Sequence, residues 1–443
     1  MPVEICTVGG YGEVGRNMTA IRIDDEVIIC DMGVHLENYI ALTEEEDVVN
    51  ISPKQLIYHK AVPDITVIES WKPLVKAIVP THAHLDHIGA VPFLAPAFDA
   101  PVICTPFTAA VLHAIIDDAG IQFPNKIKVL NANSSIKISD AISIEFVSIT
   151  HSTPQTVIVV IHTPYGDIIY ANDFKFDNTP IVGTKPNMER LREIGATGKV
   201  LCLIVDSLYA DEHKKMPSES VAREMLKDVM LNTESQGKGM IVTTFSSHIA
   251  RLKSILEFGK KLNRKVIFLG RSMNKYITAA ESVGLVNFSE EGEIIKYASR
   301  VGSKIKKICN EGKDKYLLVV TGHQGEPKSA LSKMAHGLFP FEQGDIVIFS
   351  TSVIPSPTNI KNREIIEDVL RTHGARIFRD IHISGHAARE DHRDLLTMLK
   401  PRHLLPSHAP LPKMTAMLEL AIDMGMPNDT VHLVKEGTFL ELK

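Results

Sequence analysis

The chain has 443 residues, 44% of them apolar and 23% charged, with a formal net charge of −5. This is enough apolar material for a large buried core, and the length exceeds one ordinary domain, so two domains are expected. The acidic balance excludes an overall basic field, which confines any phosphate-rich partner to a local groove, and no apolar run approaches the length of a membrane span.

In chain order, the first part alternates short β-rich runs with turns: VEICTVGG, TAIRID, EVIICDMG, AIVPTHAH, PVICT, SIEFVSITH, TVIVVIHTPYG and DIIYANDF. Strands this dense, with few helices between them, suggest two packed sheets with helices outside. Four runs stop on polar residues, Asp31, His82, His151 and Asp173, where loops held by a rigid sheet tend to carry chemistry. The cysteines Cys6, Cys30, Cys104, Cys202 and Cys309 form no CxxC pair and read as buried, reduced thiols. With no signal-peptide pattern at the start, a cytoplasmic protein without membrane attachment is expected.

From roughly Asp211 to Phe378 the texture becomes alternating helix and strand, with amphipathic stretches such as HIARLKSILEFGKKLN between apolar runs such as GMIVTTF, KVIFLG, YLLVVTG and DIVIFSTS. That alternation implies a mostly parallel sheet whose polar turns, TTFSSHIAR, LGRSMN, TGHQGEP and FSTSVIPSP, line one crevice. A strand pattern returns in RIFRDIHISGHA, HLLPSHAP and TVHLVKEGTFLEL. The expected organisation is therefore a first domain in two parts, 1–208 and 378–443, interrupted by an inserted α/β domain over 209–377.

PTHAHLDHIGAVP puts His82, His84, Asp86 and His87 within six positions. Zinc wants four or five N and O donors at about 2.0–2.2 Å, and the H-x-H-x-D-H spacing aims the first two histidines and the last two donors at two neighbouring points. Two metals are thus more natural than one. The bland reading, a chance histidine cluster, is the weaker one for a pattern this dense. His151, Asp173 and His408 are the obvious further donors, although each alone reads equally as a turn residue or a satisfied core histidine.

THAHLDHIGA, together with His151, Asp173 and His408, resembles the metallo-β-lactamase superfamily. VDSLYA, TTFSSHIAR, GRSMN, TGHQGEP, HISGHA and PSHA resemble, in order and spacing, the β-CASP nucleases and most closely the ribonuclease J branch. The similarity covers nearly the whole chain. Neither the extra C-terminal domain of the bacterial branch nor the KH domains of the polyadenylation-type homologues is expected, a layout similar to the archaeal branch. Two positions depart from the branch pattern: His323, where Ser is frequent, and PSHAP, where Gly-Glu commonly follows the histidine.

The resemblance implies an αββα metallo-β-lactamase sandwich with an inserted β-CASP domain and two zinc ions, with manganese or magnesium as alternatives. One zinc would be held by His82, His84, His151 and Asp173, the other by Asp86, His87, Asp173 and His408, with Asp173 shared. Asp31 would orient the ligand turn from behind. Asp206 and His386 match the family's paired carboxylate and histidine, with His386 as proton donor to the leaving oxygen, and Asp86 also counts among the catalytic carboxylates. Taken as plain structure, Asp206 is a strand-end cap and His386 a turn histidine. Ser246, Ser247, Arg251, Arg271, Ser272, His323 and Ser384 supply phosphate or RNA contacts, Ser246 and Ser247 having a helix N-cap as their plain alternative.

The implied activity is 5′→3′ exoribonuclease action on single-stranded RNA with a 5′-monophosphate, in RNA decay and processing, by a homodimer. The rivals are an endoribonuclease of the polyadenylation type, a small-molecule hydrolase sharing the metal motif, and a metal-free RNA-binding scaffold.

Overall fold

A computed structural model describes residues 3–45, 51–296, 298–354 and 356–442. Pro355, in the FSTSVIPSP turn, lies outside them. The chain divides into two compact units: Met1–Asn178, Thr184–Met216 and Ser384–Lys443 make the first, and Thr179–Gly183 with Pro217–Ile383 the second.

Among the described residues, the first unit holds two large sheets. One runs from edge to edge as Phe439–Leu442, Val3–Gly9, Met18–Ile23, Glu26–Cys30, Val75–Val79, Val102–Cys104 and Ile127–Val129. The other runs as His403–Ser407, Val200–Asp206, Gly166–Ala171, Val157–Thr163, Ser143–Ser148 and Ser134–Lys137. Successive side chains of a strand point to opposite faces. Accordingly Val157, Val159 and Ile161 join Ile5, Ile21, Ile28 and Val79 in a core shared by both sheets. Their neighbours Ile158 and Val160 pack outward with Leu191, Leu395, Leu399 and Leu420 of the covering helices Met188–Ala196, Arg389–Leu399 and Leu411–Asp423. Burial on both faces is why these strands read as unbroken apolar runs rather than alternating ones.

Strand direction positions the polar ends. Glu26–Cys30 pairs parallel with Val75–Val79, and Val200–Asp206 lies parallel between Gly166–Ala171 and His403–Ser407. Asp31, His82, Asp173, Asp206 and His408 all sit at or just beyond the carboxyl ends of these strands.

The second unit is built on a sheet ordered Glu293–Ile295, Lys265–Leu269, Tyr316–Val320, Met240–Thr243, Ile346–Phe349 and Arg376–Phe378, in which every pairing is parallel. Ile241, Leu318, Val320, Val347 and Phe349 bury one face against Ile305, Ile308, Ile366 and Leu370 of helices Ala298–Glu311 and Pro357–Thr372. RIF at 376–378, expected to reopen the first domain's strand pattern, instead pairs with Ile346–Phe349 at this sheet's edge. Three residues are too few for alternation to tell which sheet a strand joins. No helix among the described residues is long and apolar enough to cross a membrane.

Candidate metal centre

The site is organised from behind by Asp31, which is fully buried. Its carboxylate accepts from the Thr81 backbone N–H at 2.7 Å and from the Thr81 hydroxyl at 2.9 Å, tying strand Glu26–Cys30 to the start of the histidine turn. The Thr81 proton is thereby engaged, so at the 3.0 Å contact between Thr81 Oγ1 and His82 Nδ1 the imidazole is the donor. The other Asp31 oxygen accepts from His87 Nδ1 at 2.7 Å. Both histidines therefore carry a proton on Nδ1 and turn Nε2 into the site, as metal ligands held by outer partners do.

His151 is set the same way. Its Nδ1 lies 2.8 Å from the Gly385 carbonyl, which can only accept. The approach is close: a Cβ on Gly385 would stand 2.8 Å from His151 Nδ1 and 2.2 Å from Ser152 Oγ. Nε2 of His151 and Nε2 of His82 both face His84 Nδ1 at 3.1 Å. One proton on His84 can satisfy only one of those two lone pairs.

Asp173 lies at the centre, with 1% of its surface exposed. Its Oδ2 is 3.5 Å from His82 Nε2, 3.3 Å from His87 Nε2 and 3.4 Å from His151 Nε2. Its Oδ1 is buried without a hydrogen bond, although His408 Nε2 stands 3.5 Å away. The donors fall into three groups whose ligand atoms lie within 4.8 Å of one another: His82, His84, His151 and Asp173; Asp86, His87, Asp173 and His408; and a smaller one of Asp173, Asp206 and His386. Converging lone pairs with too few protons, and a buried carboxylate oxygen with no donor, are what a cation site looks like before its charge is supplied. The residues fit divalent metal.

Electrostatics agree for the first group but not for His87, where burial is outweighed by Asp173, Asp31 and Asp86, which raise the imidazole well above its usual range. Burial, then the charge of neighbouring imidazoles, keeps His82 neutral by pulling its pKa well down; burial likewise lowers His84 to about 4 and pulls His151 well down. Neutral imidazole is the ligand form. Burial alone would raise Asp173, but His408 and His87 outweigh it and hold the carboxyl well below the usual range.

His386 belongs only to the third group, beside the two four-residue ones. Its Nδ1 donates to Asp206 Oδ2 at 2.8 Å, and its Nε2 points toward Asp173 Oδ2 at 3.9 Å. Burial disfavours the imidazolium, yet Asp173 and Asp206 outweigh it and raise His386 to about 9. Asp206 also caps its strand end, since its Oδ1 accepts from Leu208 N–H at 2.8 Å while its Oδ2 holds His386. Ser384 is drawn in by the same turn. Its hydroxyl accepts from His386 N–H at 3.2 Å and its carbonyl from Lys175 Nζ at 3.0 Å.

One residue that sequence reasoning missed is Asn17. Its Nδ2 donates to the Asp86 carbonyl at 2.9 Å, which fixes the amide's orientation, and its Oδ1 therefore accepts from His408 Nδ1 at 2.9 Å. The same Nδ2 is 3.2 Å from His87 Nε2. Asn17 thus touches three of the four residues of the second group. In GRNMT it reads as a turn residue; the available signal was the Gly9–Gly10 pair, since a Cβ on Gly10 would meet Asn17 Oδ1 at 2.5 Å.

In the second unit, Ser246 Oγ lies 3.0 Å from Ser272 Oγ, bringing two of the expected turns together. The residue capping helix Ile249–Lys261 is His248, so neither Ser246 nor Ser247 is its N-cap. Ser247 is 7% exposed, Arg271 and Ser272 are exposed, and His323 is half-buried. Arg251 requires correction. Expected on the crevice, it is fully buried, bonds Glu219 through Nε and Nη2 at 2.6 and 2.9 Å, and spends Nη1 on Ser350 and the Ile381 carbonyl. A guanidinium so enclosed cannot meet a phosphate. It ties strand-end turns together, whereas a sequence registers only its charge beside a serine-rich turn.

Comparison with known proteins agrees with this arrangement. Residues 11–198 match the metallo-beta-lactamase superfamily, 237–369 match the family described as ribonuclease J, beta-CASP domain, and 375–432 match the zinc-dependent metallo-hydrolase RNA specificity domain. The chain is 43% identical to ribonuclease J of Methanocaldococcus jannaschii, covering 100% of this chain and 99% of that one. It is 41% identical to ribonuclease J of Pyrococcus abyssi, over 99% and 97% of the two chains. A solved structure of a protein of unknown function from Enterococcus faecalis shares the fold at TM-score 0.66, with 18% identity over 99% of both chains. The sandwich with its inserted β-CASP domain, the divalent-metal donor set and these matches together identify a ribonuclease acting on RNA, and the chain belongs to the ribonuclease J family.

Proposed function

We propose that this ribonuclease is a zinc-dependent 5′→3′ exonuclease that prefers single-stranded RNA with a 5′-monophosphate and works with two metals in RNA decay and processing. The observation that carries the two-metal reading is the buried carboxylate of Asp173, common to both four-residue donor groups. In it His82, His84, His151 and Asp173 would hold one ion, and Asp86, His87, Asp173 and His408 the other. When bound, such a pair supplies Lewis-acid charge against the phosphodiester and lowers the pKa of water toward neutrality.

The chain's own residues supply the rest. Asp31, Thr81, the Gly385 carbonyl and Asn17 hold the ligand imidazoles in one tautomer, so they need not reorganise. Hydrolysis of the P–O3′ bond leaves a 5′-phosphate on the downstream fragment and requires a proton on the departing 3′ oxygen. His386 delivers it from Nε2, while Asp206 keeps Nδ1 protonated and the ring oriented. Ser246, Ser272, Arg271, His323 and Ser384 contact the RNA, and a 5′-monophosphate captured beside the Ser384 turn gives the enzyme its direction.

Four cysteines are buried, and burial pushes the thiols of Cys6 and Cys104 up to about 12, which suits a reducing cytoplasm. A homodimer is the expected assembly. End-labelled RNAs of one sequence carrying 5′-monophosphate or 5′-triphosphate test the reading, alongside metal analysis of the purified protein. Mononucleotide products, faster decay of the monophosphate form and two zinc ions per chain are expected; discrete internal fragments at equal rates would favour endonuclease action.

A further inference from the structure

Three rings meet at the carboxyl end of the second unit's sheet, and the metal centre uses none of them. Phe245 follows strand Met240–Thr243, His323 follows Tyr316–Val320 and His382 follows Arg376–Phe378. The Phe245 and His323 ring centroids are 4.1 Å apart at 59°, and those of Phe245 and His382 are 6.5 Å apart at 52°. All three are half-buried rather than enclosed in the unit's apolar core. In a parallel sheet this is the end at which ligands bind.

The His323 turn is built to stay where it is. The His323 carbonyl accepts from Arg363 Nη1 at 2.7 Å, and Arg363 is itself pinned by Glu367 at 2.8 Å and by the Phe349 ring 3.3 Å below its guanidinium. Gln324 Nε2 donates to the Ser352 carbonyl at 3.1 Å, and its Oε1 accepts from Ile354 N–H at 2.9 Å. Gly325 has φ +78°, and a Cβ there would stand 2.3 Å from the Asn362 carbonyl. Against that rigid frame, His323 Nδ1 is buried with no hydrogen-bond partner among the described residues. Burial lowers the pKa of His323, so the ring is neutral. A firmly held turn that leaves a half-buried flat ring beside Phe245 suits a flat partner. Next to Phe245 in the chain, Ser246 meets Ser272 at the start of helix Arg271–Ser282, where no side chain caps the first amides. Hydroxyls and free amides at that point suit the phosphate attached to such a partner.

We propose that Phe245, His323 and His382 form a stacking seat for one unpaired nucleobase of the RNA, with the adjoining phosphate on Ser246 and Ser272. The seat rests on the reading of this chain as an enzyme acting on single-stranded RNA. Because every base offers a π-face, the seat grips RNA without choosing sequence.

An abasic scan tests it. Short 5′-monophosphate RNAs, each lacking the base at one position, are bound to metal-loaded His386→Ala protein, in which cutting is suppressed, with and without His323→Ala or Phe245→Leu. At one position, loss of the base should weaken binding by about fivefold or more. That penalty should fall below about twofold in both seat variants, Phe245→Leu keeping the bulk and losing the aromatic face. Equal penalties at every position with and without the seat substitutions, while intact RNA still binds, would overturn the seat alone. Failure of intact RNA to bind the unsubstituted chain would overturn the single-stranded-RNA reading beneath it as well.

Discussion

Replacing Asn17 with alanine should weaken one metal site and spare the other. The substitution deletes the acceptor for His408 Nδ1 and a donor to the Asp86 carbonyl, each at 2.9 Å. The carbonyl keeps the Asn17 backbone N–H at 3.2 Å, so the main effect falls on His408, whose imidazole loses the bond that fixes its tautomer and rotation. Loss of an outer partner of a ligating histidine costs ten- to a hundredfold in metal affinity, about 1.4–2.8 kcal/mol. His82 and His151 have their own outer partners in Thr81 and Gly385, so affinity in the first group should stay within about threefold. Titration against a competing chelator, with stoichiometry by native mass spectrometry, should find one ion held as before and one held ten- to a hundredfold more weakly. Asn17→Asp, which retains an acceptor for His408, should recover part of the loss. Two ions at unchanged affinity, or equal loss of both, would refute the assignment of Asn17 to the second group.

His386→Ala should lower turnover by roughly a hundredfold or more with metal content unchanged; loss of an ion in that variant would make His386 a ligand. Arg251→Met strips the buried Glu219 carboxylate of both guanidinium bonds and leaves it facing His248 at 3.4 Å, so it should cost about 3–5 kcal/mol in thermal or denaturant unfolding of the second unit. The double variant with Glu219→Leu should recover much of that, and a stable Arg251→Met protein with weakened RNA binding would restore the phosphate role. His162 donates to Asp167 at 2.7 Å and to Glu145 at 2.9 Å, and these bonds raise it to about 9. A raised folded-state pKa stabilises fully below the unfolded value near 6.5, and the contribution fades as pH climbs through about 9. His162→Gln should therefore flatten the fall in melting temperature between those pH values, and an identical pH profile in the variant would sink the argument.

The histidine turn was legible because its spacing is itself the geometry: His82, His84, Asp86 and His87 come from one turn and need no distant partner to be recognised. The pairing of Asp206 with His386 spans 180 positions, so no local pattern carries it and only resemblance could supply it. Arg251 misled for the converse reason. Its charge stands in a serine-rich turn, but its fate is decided by Glu219, 32 positions earlier on another helix, and by two carbonyls it must reach inward to meet. Asn17 gave no chemical signal because its amide acts on other ligands rather than on the metal. The β-rich runs were read correctly as two covered sheets, since buried faces write apolar residues directly into the sequence, whereas the short RIF strand carried too few residues to declare its sheet.

Backbone conformation was legible nowhere, yet it aims the site. Asp31, Asp173 and His408 all have positive φ, 58°, 44° and 53°, and each follows the carboxyl end of a parallel strand. Such a conformation costs a residue with a Cβ about 1 kcal/mol or more, although Asp and His tolerate it better than most. Continued extension would send successive side chains to alternate faces of the sheet and carry the donors apart. Reversal of φ at the strand end instead turns each side chain across the sheet's edge. It is held there by backbone bonds from Asp31 N–H to the Val79 carbonyl at 3.2 Å and from His408 N–H to the Gly10 carbonyl at 2.7 Å. The donors are thus fixed by main-chain geometry as well as by rotamer choice. That is why a carboxylate with an unbonded oxygen can stay buried among imidazoles: the sheets that impose the strain also prevent Asp173 from turning away to relieve it.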